Sequence, residues 1–246
     1  MMTVCLIVPV YNQAQALLKF LPQLKAQNLA CILINDGSCA ADSQLIAAYQ
    51  SLNQDWLSLI NHPANAGKGA AVVTGFKLAI ERGFSHAIQI DADGQHNSND
   101  ISRFIALSQL EPAAMILGRP IYQTDAPKAR RYGRQFTNLW IWINTLSFAI
   151  KDGMCGFRLY PLAAIDKLLG SGTAISSGMG FDIDIVVRLY WQGCQAINLD
   201  TQVNYPADGV SHFKMLSDNW LISTLHAQLC LGMLLRIWPL LKRHWL

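Results

Sequence analysis

Ile88-Gln89-Ile90-Asp91-Ala92-Asp93-Gly94-Gln95-His96 couples an apolar run to two carboxylates one residue apart, with an amide and an imidazole just behind them. The run over 86–90 reads as a buried strand, and strands apolar along their whole length belong to sheets covered on both faces. The same event recurs upstream. Residues 4–10 form a short apolar strand closed by Pro9, and Cys31-Ile32-Leu33-Ile34 forms a second, ended by the turn Asn35-Asp36-Gly37-Ser38. Further strands span 57–60 and 115–117. Helical spacing fills the gaps, over 14–27 (Leu17, Leu18, Leu21, Leu24), 42–52, 69–82 and 100–110. This βαβα alternation predicts an α/β fold, with a mostly parallel, Rossmann-like sheet flanked by helices. Ligands of such sheets bind beyond the carboxyl ends of the strands. Tyr11-Asn12, Asp36-Gly37-Ser38 and Asp91-Ala92-Asp93 all fall there.

From about Gly118 the pattern changes to a basic loop, a long apolar helix over 136–150, an isolated strand near 156–160 and then mixed elements. Of the 246 residues, 52% are hydrophobic and only 14% charged. A soluble domain carries about a quarter charged residues, so the composition supports a large core and a partly lipid-facing surface. A net charge of +3 with no Lys/Arg-rich run argues against nucleic acid. The six cysteines show no C-x-x-C spacing and read as reduced thiols, which fits a cytosolic setting. The first ten residues lack the basic start of a signal peptide, and no segment reaches the roughly 18 apolar residues of a membrane span. Residues 216–246 are rich in Leu and Trp and end in cations. They are expected to form a C-terminal amphipathic helix lying on anionic lipid, appended to a domain over 1–215. The expected location is cytoplasmic, peripheral at the inner face of the cell membrane.

Paired carboxylates at a strand end suit a hard divalent cation, Mg²⁺ or Mn²⁺, which takes oxygen ligands and also accepts phosphate oxygens. Gln95 offers another oxygen, and His96 is a ligand or an orienting group. The alternative is a pair of solvated turn aspartates. Asn65-Ala66-Gly67-Lys68-Gly69-Ala70 satisfies neither phosphate-loop pattern; its glycines read as close-packing positions, while Lys68 can still reach a phosphate. Lys128, Arg130, Arg131 and Arg134 are either a solvated face or a grip on an anionic head group. Trp140 and Trp142 suit either a bilayer interface or core packing. Asp182 and Asp184 open a helix, where acids are also simple dipole partners.

Six ordered motifs carry a family resemblance over about residues 3–215. They are Val8-Pro9-Val10-Tyr11-Asn12-Gln13, Asn35-Asp36-Gly37-Ser38, Asn65-Ala66-Gly67-Lys68-Gly69 with Gly75, Asp91-Ala92-Asp93-Gly94-Gln95-His96, Gly118-Arg119 and Cys155-Gly156-Phe157-Arg158-Leu159-Tyr160. The chain resembles family-2 glycosyltransferases of GT-A fold, in the branch of dolichyl-phosphate mannose synthases and other polyprenyl-phosphate sugar transferases. The resemblance implies inverting transfer of a sugar from a UDP- or GDP-sugar to a lipid-type acceptor, dependent on Mg²⁺ or Mn²⁺. Pro9, Tyr11, Asn12 and Gln13 then line the nucleotide pocket, with Asp36 on the base or ribose. Asp91, Asp93 and Gln95 hold the metal, Asp93 being catalytic. Arg119 with Arg131 or Arg134 grips the acceptor's phosphate. Asp184 stands where the similar enzymes carry a Glu base, with Asp182 beside it. His212 and Lys214 occupy a loop that closes over the diphosphate. Gln13 and Asn35 depart from the family's Glu and Asp, removing negative charge near the nucleotide. A soluble transferase, a nucleotidyltransferase and a non-catalytic nucleotide-sugar-binding module stay open as alternatives.

Overall fold

The computed structural model describes residues 2–121, 128–203 and 215–243. Its first half follows the alternation directly: β1 (Val4–Val10), α1 (Ala14–Lys25), β2 (Ala30–Asn35), α2 (Ala40–Ser51), β3 (Leu57–Asn61), α3 (Lys68–Glu81) and β4 (His86–Gln89). A 3₁₀ turn over Ser98–Asp100 leads into α4 (Ile101–Leu110) and β5 (Met115–Ile121). The second half comprises α5 (Lys128–Thr145), β6 (Arg158–Pro161), α6 (Leu162–Gly170), α7 (Phe181–Trp191), β7 (Ala196–Gln202), α8 (Met215–Leu234) and α9 (Ile237–Lys242).

The seven strands form one sheet in the order β3-β2-β1-β4-β6-β5-β7. All neighbours run parallel except around β6, which is antiparallel to both β4 and β5. The strand expected to be isolated therefore sits inside the sheet. Alternation along β1 divides the core: Cys5 and Ile7 face the layer of α3, α6 and α7, while Leu6, Val8 and Val10 face α1, α2 and α4.

Gly75 lets α3 approach the sheet. A Cβ there would lie 2.5 Å from Ile7 Cγ2 and 2.9 Å from Ile34 Cδ1, both on fully buried side chains. Gly75→Val is expected to destabilise the fold by about 3 kcal/mol through overpacking, read from urea denaturation. An unchanged midpoint would mean that α3 slides freely on the sheet.

The C-terminal part departs from the expected single amphipathic helix. Two helices are present, and along α8 apolar residues occur on every side. Ile222, Leu225, Leu229 and Met233 are buried in the same core as β1 and α3, while Trp220, Leu221, Leu231 and Leu234 are exposed. The cause lies in the sequence, where apolar positions recur too densely to form one stripe. Among the described residues no helix is long and apolar enough to cross a membrane.

α8 packs against α5, where Trp140 stacks on His226 with ring centroids 6.0 Å apart and Trp142 Nε1 donates to the Ile150 carbonyl at 2.8 Å. Both indoles thus take part in packing within the chain. His226 is buried and accepts from Asn144 Nδ2 at 3.3 Å, and burial pushes its pKa down to about 4. An unfolded histidine binds its proton near pH 6.5. Between pH 6.5 and 4 the unfolded chain therefore holds a proton that the folded chain lacks, and stability falls as pH drops. His226→Gln is expected to remove about 2 kcal/mol of the stability loss between pH 7 and 5. Urea midpoints at the two pH values check this, and equal losses in both proteins would refute it.

Candidate active site

The loops leaving β1, β2, β3 and β4 carry most of the residues expected at the crevice. After β1, Asn12 adopts a positive φ of 48°; its backbone N–H donates to Ser38 Oγ and its Oδ1 accepts from Cys39 N. The loops after β1 and β2 are thereby tied together. Tyr11 is 36% exposed at this edge, Gln13 caps α1, and Pro9 lies buried within β1. Asp36, expected on the base or ribose, is instead buried against its own chain. Its Oδ1 receives His62 Nδ1 at 2.7 Å and Ala66 N at 3.0 Å, and its Oδ2 receives Gly67 N at 2.9 Å. It acts as an anchor for the loop that precedes α3. Asn35 is likewise satisfied internally, by Ser38, Ser43 and Asn61.

The glycines at 67 and 69 serve close packing. A Cβ at Gly69 would lie 2.2 Å from the Ser176 carbonyl oxygen, and Gly67 has a φ of +98° against Ser177. This packing brings Lys68, the first residue of α3, into the crevice.

β4 delivers Asp91 and Asp93. Asp93 Oδ1 accepts the Gln95 backbone N–H at 3.0 Å, which fixes the turn, and Gly94 takes the positive φ that the turn requires. The Asp91 carboxylate lies over Gly156, in the loop entering β6. A Cβ there would lie 2.1 Å from Asp91 Oδ2, so the position admits only glycine. Lys68 Nζ stands 2.8 Å from Asp91 Oδ1 and 2.7 Å from Asp182 Oδ2. Asp182, near the start of α7, is held from behind by Gln89 Nε2 at 2.8 Å on Oδ1 and by the Arg158 guanidinium on its carbonyl. Arg158 is completely buried.

Two cavities flank Asp91. One, of about 120 Å³, is lined by Lys68, Asp91, Asp182 and the apolar Met154, Met179, Ile183 and Ile222. The other, of about 70 Å³, brings together Asp91, Asp93, Gln95, His96 and Arg134. Burial opposes the charge on Asp91, but Lys68, with His96 and Arg158, outweighs it and holds the pKa below the ordinary carboxylate value. Asp93 is pushed up to about 6, first by burial and then by the neighbouring Asp91. Burial lowers His96 to about 4, so its imidazole is neutral near pH 7.

The remaining expected residues divide clearly. Asp184 is buried, with Ser176 N donating to one oxygen and Arg188 to the other; it lines neither cavity. Arg119 forms a two-pronged pair with Asp200, at 2.5 and 2.6 Å, on the half-exposed surface between β5 and β7, and lines neither cavity. Arg134 lines the smaller cavity and donates to both oxygens of Asp152 at 2.8 Å. The side chain of Arg131, and His212 and Lys214 entirely, lie outside the described residues. Gln89, Asp152, Gly156 and Arg158 were given no role by sequence reasoning. Gln89 and Arg158 carried a signal: each is a polar residue interrupting an apolar strand, as in Ile88-Gln89-Ile90 and Phe157-Arg158-Leu159.

The site offers oxygen donors of the kind hard cations require: the Asp91 and Asp93 carboxylates and the Gln95 amide share one cavity. Among the described residues no three His, Cys, Asp or Glu side chains converge on one point. A cation there would complete its shell from outside the protein, as phosphate-bound Mg²⁺ and Mn²⁺ do.

The family model described as "Glycosyl transferase family 2" matches residues 5–168, about two thirds of the chain. The chain belongs to that family. Within family 2, it is 24% identical over 225 residues to polyprenol monophosphomannose synthase of Mycolicibacterium smegmatis, covering 87% of this chain and 81% of that protein. It is 27% identical over 207 residues to dolichyl-phosphate beta-glucosyltransferase of Saccharomyces cerevisiae, covering 74% and 60%. Among solved structures, mannosyltransferase PcManGT from Pyrobaculum calidifontis, in complex with GDP-Man and Mn²⁺, superposes with a TM-score of 0.61 at 16% identity, over 84% of this chain and 58% of that one. S. aureus TarS 1-349 in complex with UDP gives 0.63 at 16%, over 93% and 65%. The chain thus spans less than two thirds of these two solved chains. The likeness establishes the GT-A fold expected for family 2.

Proposed function

We propose that this family-2 protein transfers a sugar from a nucleoside diphosphate to a polyprenyl-phosphate-type lipid, with inversion, at the cytoplasmic face of a membrane. The observation that carries the reading is the convergence of Asp91, Asp93 and Gln95 on one cavity at the carboxyl end of β4. The relatives named for polyprenol and dolichyl phosphate support the acceptor class, and the solved neighbours with GDP-Man and UDP support the donor class.

In this reading Asp91, Asp93 and Gln95 hold Mg²⁺ or Mn²⁺, which compensates the charge growing on the departing diphosphate. Tyr11, Asn12 and Gln13 border the nucleotide, while Asp36 shapes the loop beneath it. Lys68 supplies a positive charge beside the diphosphate, and His212 and Lys214, which lie outside the described residues, contact it as well. Arg134, with Arg131, orients the acceptor's phosphate; Arg119, paired with Asp200, takes part only once that pair opens. A phosphate acceptor is already anionic, so the reaction needs no proton acceptor. The commitment of Asp184 to Arg188 and Ser176 fits this. Exposed Trp220 and Trp238 on the C-terminal helices, with Leu235 in the turn between them, supply the apolar contact with the bilayer.

Purified protein supplied with Mn²⁺, UDP- or GDP-sugars and short-chain polyprenyl phosphate tests the proposal. The expected result is release of nucleoside diphosphate matched by a lipid-linked sugar. Pyrophosphate release, or glycosylation of water-soluble saccharides alone, would replace this reading with another.

A further inference from the structure

The Lys68 ammonium is shared between two acids that come from different elements and are held very differently. Asp182 is fixed: it is 5% exposed, its Oδ1 receives Gln89 Nε2, and its carbonyl receives the buried Arg158. Asp91 is the looser partner. Its side chain is 26% exposed, and it forms the wall common to both cavities. A divalent cation bridging Asp91 and Asp93 needs an Asp91 oxygen, and Lys68 Nζ lies 2.8 and 3.1 Å from the two. Lys68 lines the larger cavity on one flank of Asp91, while Asp93 and Gln95 line the smaller one on the other, so a cation held by Asp91 draws on a carboxylate whose charge the ammonium already compensates at both oxygens.

We propose that Lys68 is a built-in counter-cation of the metal site. It neutralises and orients Asp91 before metal arrives, yields that carboxylate to the cation, and keeps Asp182 as its pivot. Its four-carbon stem allows the ammonium to turn toward the diphosphate without moving α3. Metal and nucleoside diphosphate then bind with positive coupling beyond simple chelation, because the diphosphate offers Lys68 a new partner as Asp91 is surrendered. This inference rests on the metal site proposed above, and Asp182 becomes a positioning residue rather than a base.

The test follows free Mn²⁺ by electron paramagnetic resonance with the full chain, alone and with UDP or GDP. Lys68→Met is expected to bind Mn²⁺ alone about tenfold tighter than wild type and to gain less from added nucleotide. Equal or weaker binding of Mn²⁺ alone overturns the proposal. Asp182→Asn works in the opposite sense and serves if the first variant does not fold. With its second carboxylate gone, Lys68 holds Asp91 alone and Mn²⁺ binding weakens severalfold; unchanged or tighter binding also overturns the idea. Wild-type uptake of Mn²⁺ with nucleotide reports on the underlying site. Its absence sinks the metal site and Lys68's role together, whereas normal uptake with an unaltered Lys68→Met affinity sinks only the role of Lys68.

Discussion

Asp93→Asn is expected to lower the transfer rate at saturating donor by about a thousandfold, equivalent to about 4 kcal/mol of transition-state stabilisation. The substitution keeps Oδ1, and so keeps the hydrogen bond from the Gln95 N–H that shapes the turn. What it removes is one of the charged oxygens available to a cation. The same change should make the metal-free protein slightly more stable. Asp93 is raised to about 6 by burial and by Asp91. Its ionised form is therefore disfavoured in the fold, and that penalty is fully present above pH 6 and relieved as pH falls toward the ordinary carboxylate value. At pH 8 the gain is about 1 kcal/mol after allowance for solvent screening. Nucleoside diphosphate release and thermal melting, measured on one preparation, give the two signs. A variant that keeps its activity, or loses stability along with it, would show that Asp93 is an ordinary turn residue.

Gly156→Ala carries the second large effect. The added methyl would meet Asp91 at 2.1 Å from Oδ2, 2.4 Å from Cγ and 2.5 Å from Oδ1. Real Cβ atoms do not tolerate such distances, so the carboxylate must rotate or the loop entering β6 must move. Either change misplaces an oxygen by an ångström or more, and displacements of that size cost about a hundredfold in rate. The fold should survive with a loss of about 1–2 kcal/mol, because the strain falls on a partly exposed side chain. Steady-state kinetics against Mn²⁺ concentration separate the causes. The expected pattern is a raised Mn²⁺ requirement with a reduced maximal rate. Kinetics within twofold of wild type would mean that the contact with Gly156 does not set the Asp91 geometry.

The fold was legible wherever one physical signal dominated. β1, β2 and β4 are short apolar runs ended by turn residues, and the helices between them repeat at helical spacing. The direction of β6 was not legible, because four residues of strand carry no mark of which way they run. β7 was missed since Ala196-Ile197-Asn198-Leu199-Asp200-Thr201-Gln202 mixes polar and apolar positions and is only half buried at the sheet edge. At the site, the Asp91-Ala92-Asp93 segment and Lys68 were apparent from residue type and motif. The choice between Asp182 and Asp184 required helix geometry. Positions two apart on a helix point about 200° away from each other, so only one of them can face the crevice, and it is Asp182. Arg158 could not have been assigned a place, because the partners that permit its burial, Asp182 and Tyr160, lie on other elements or further along its own strand.

The reversed strand at the middle of the sheet has a consequence for how the protein is born. Because β6 runs against β4, the peptide that leads into it, with Gly156, meets the peptide that leaves β4, with Asp91. Two stretches made at well-separated moments of translation are thereby sewn together at the candidate site. A nascent chain released after α4 carries both aspartates and Lys68 but lacks Gly156 and Asp182, which complete their surroundings. The candidate site is therefore complete only once β6 lies between its neighbours and α7 has docked. Contacts so distant in sequence form slowly as a rule, so the surroundings of Asp91 are completed only after α7 has been made.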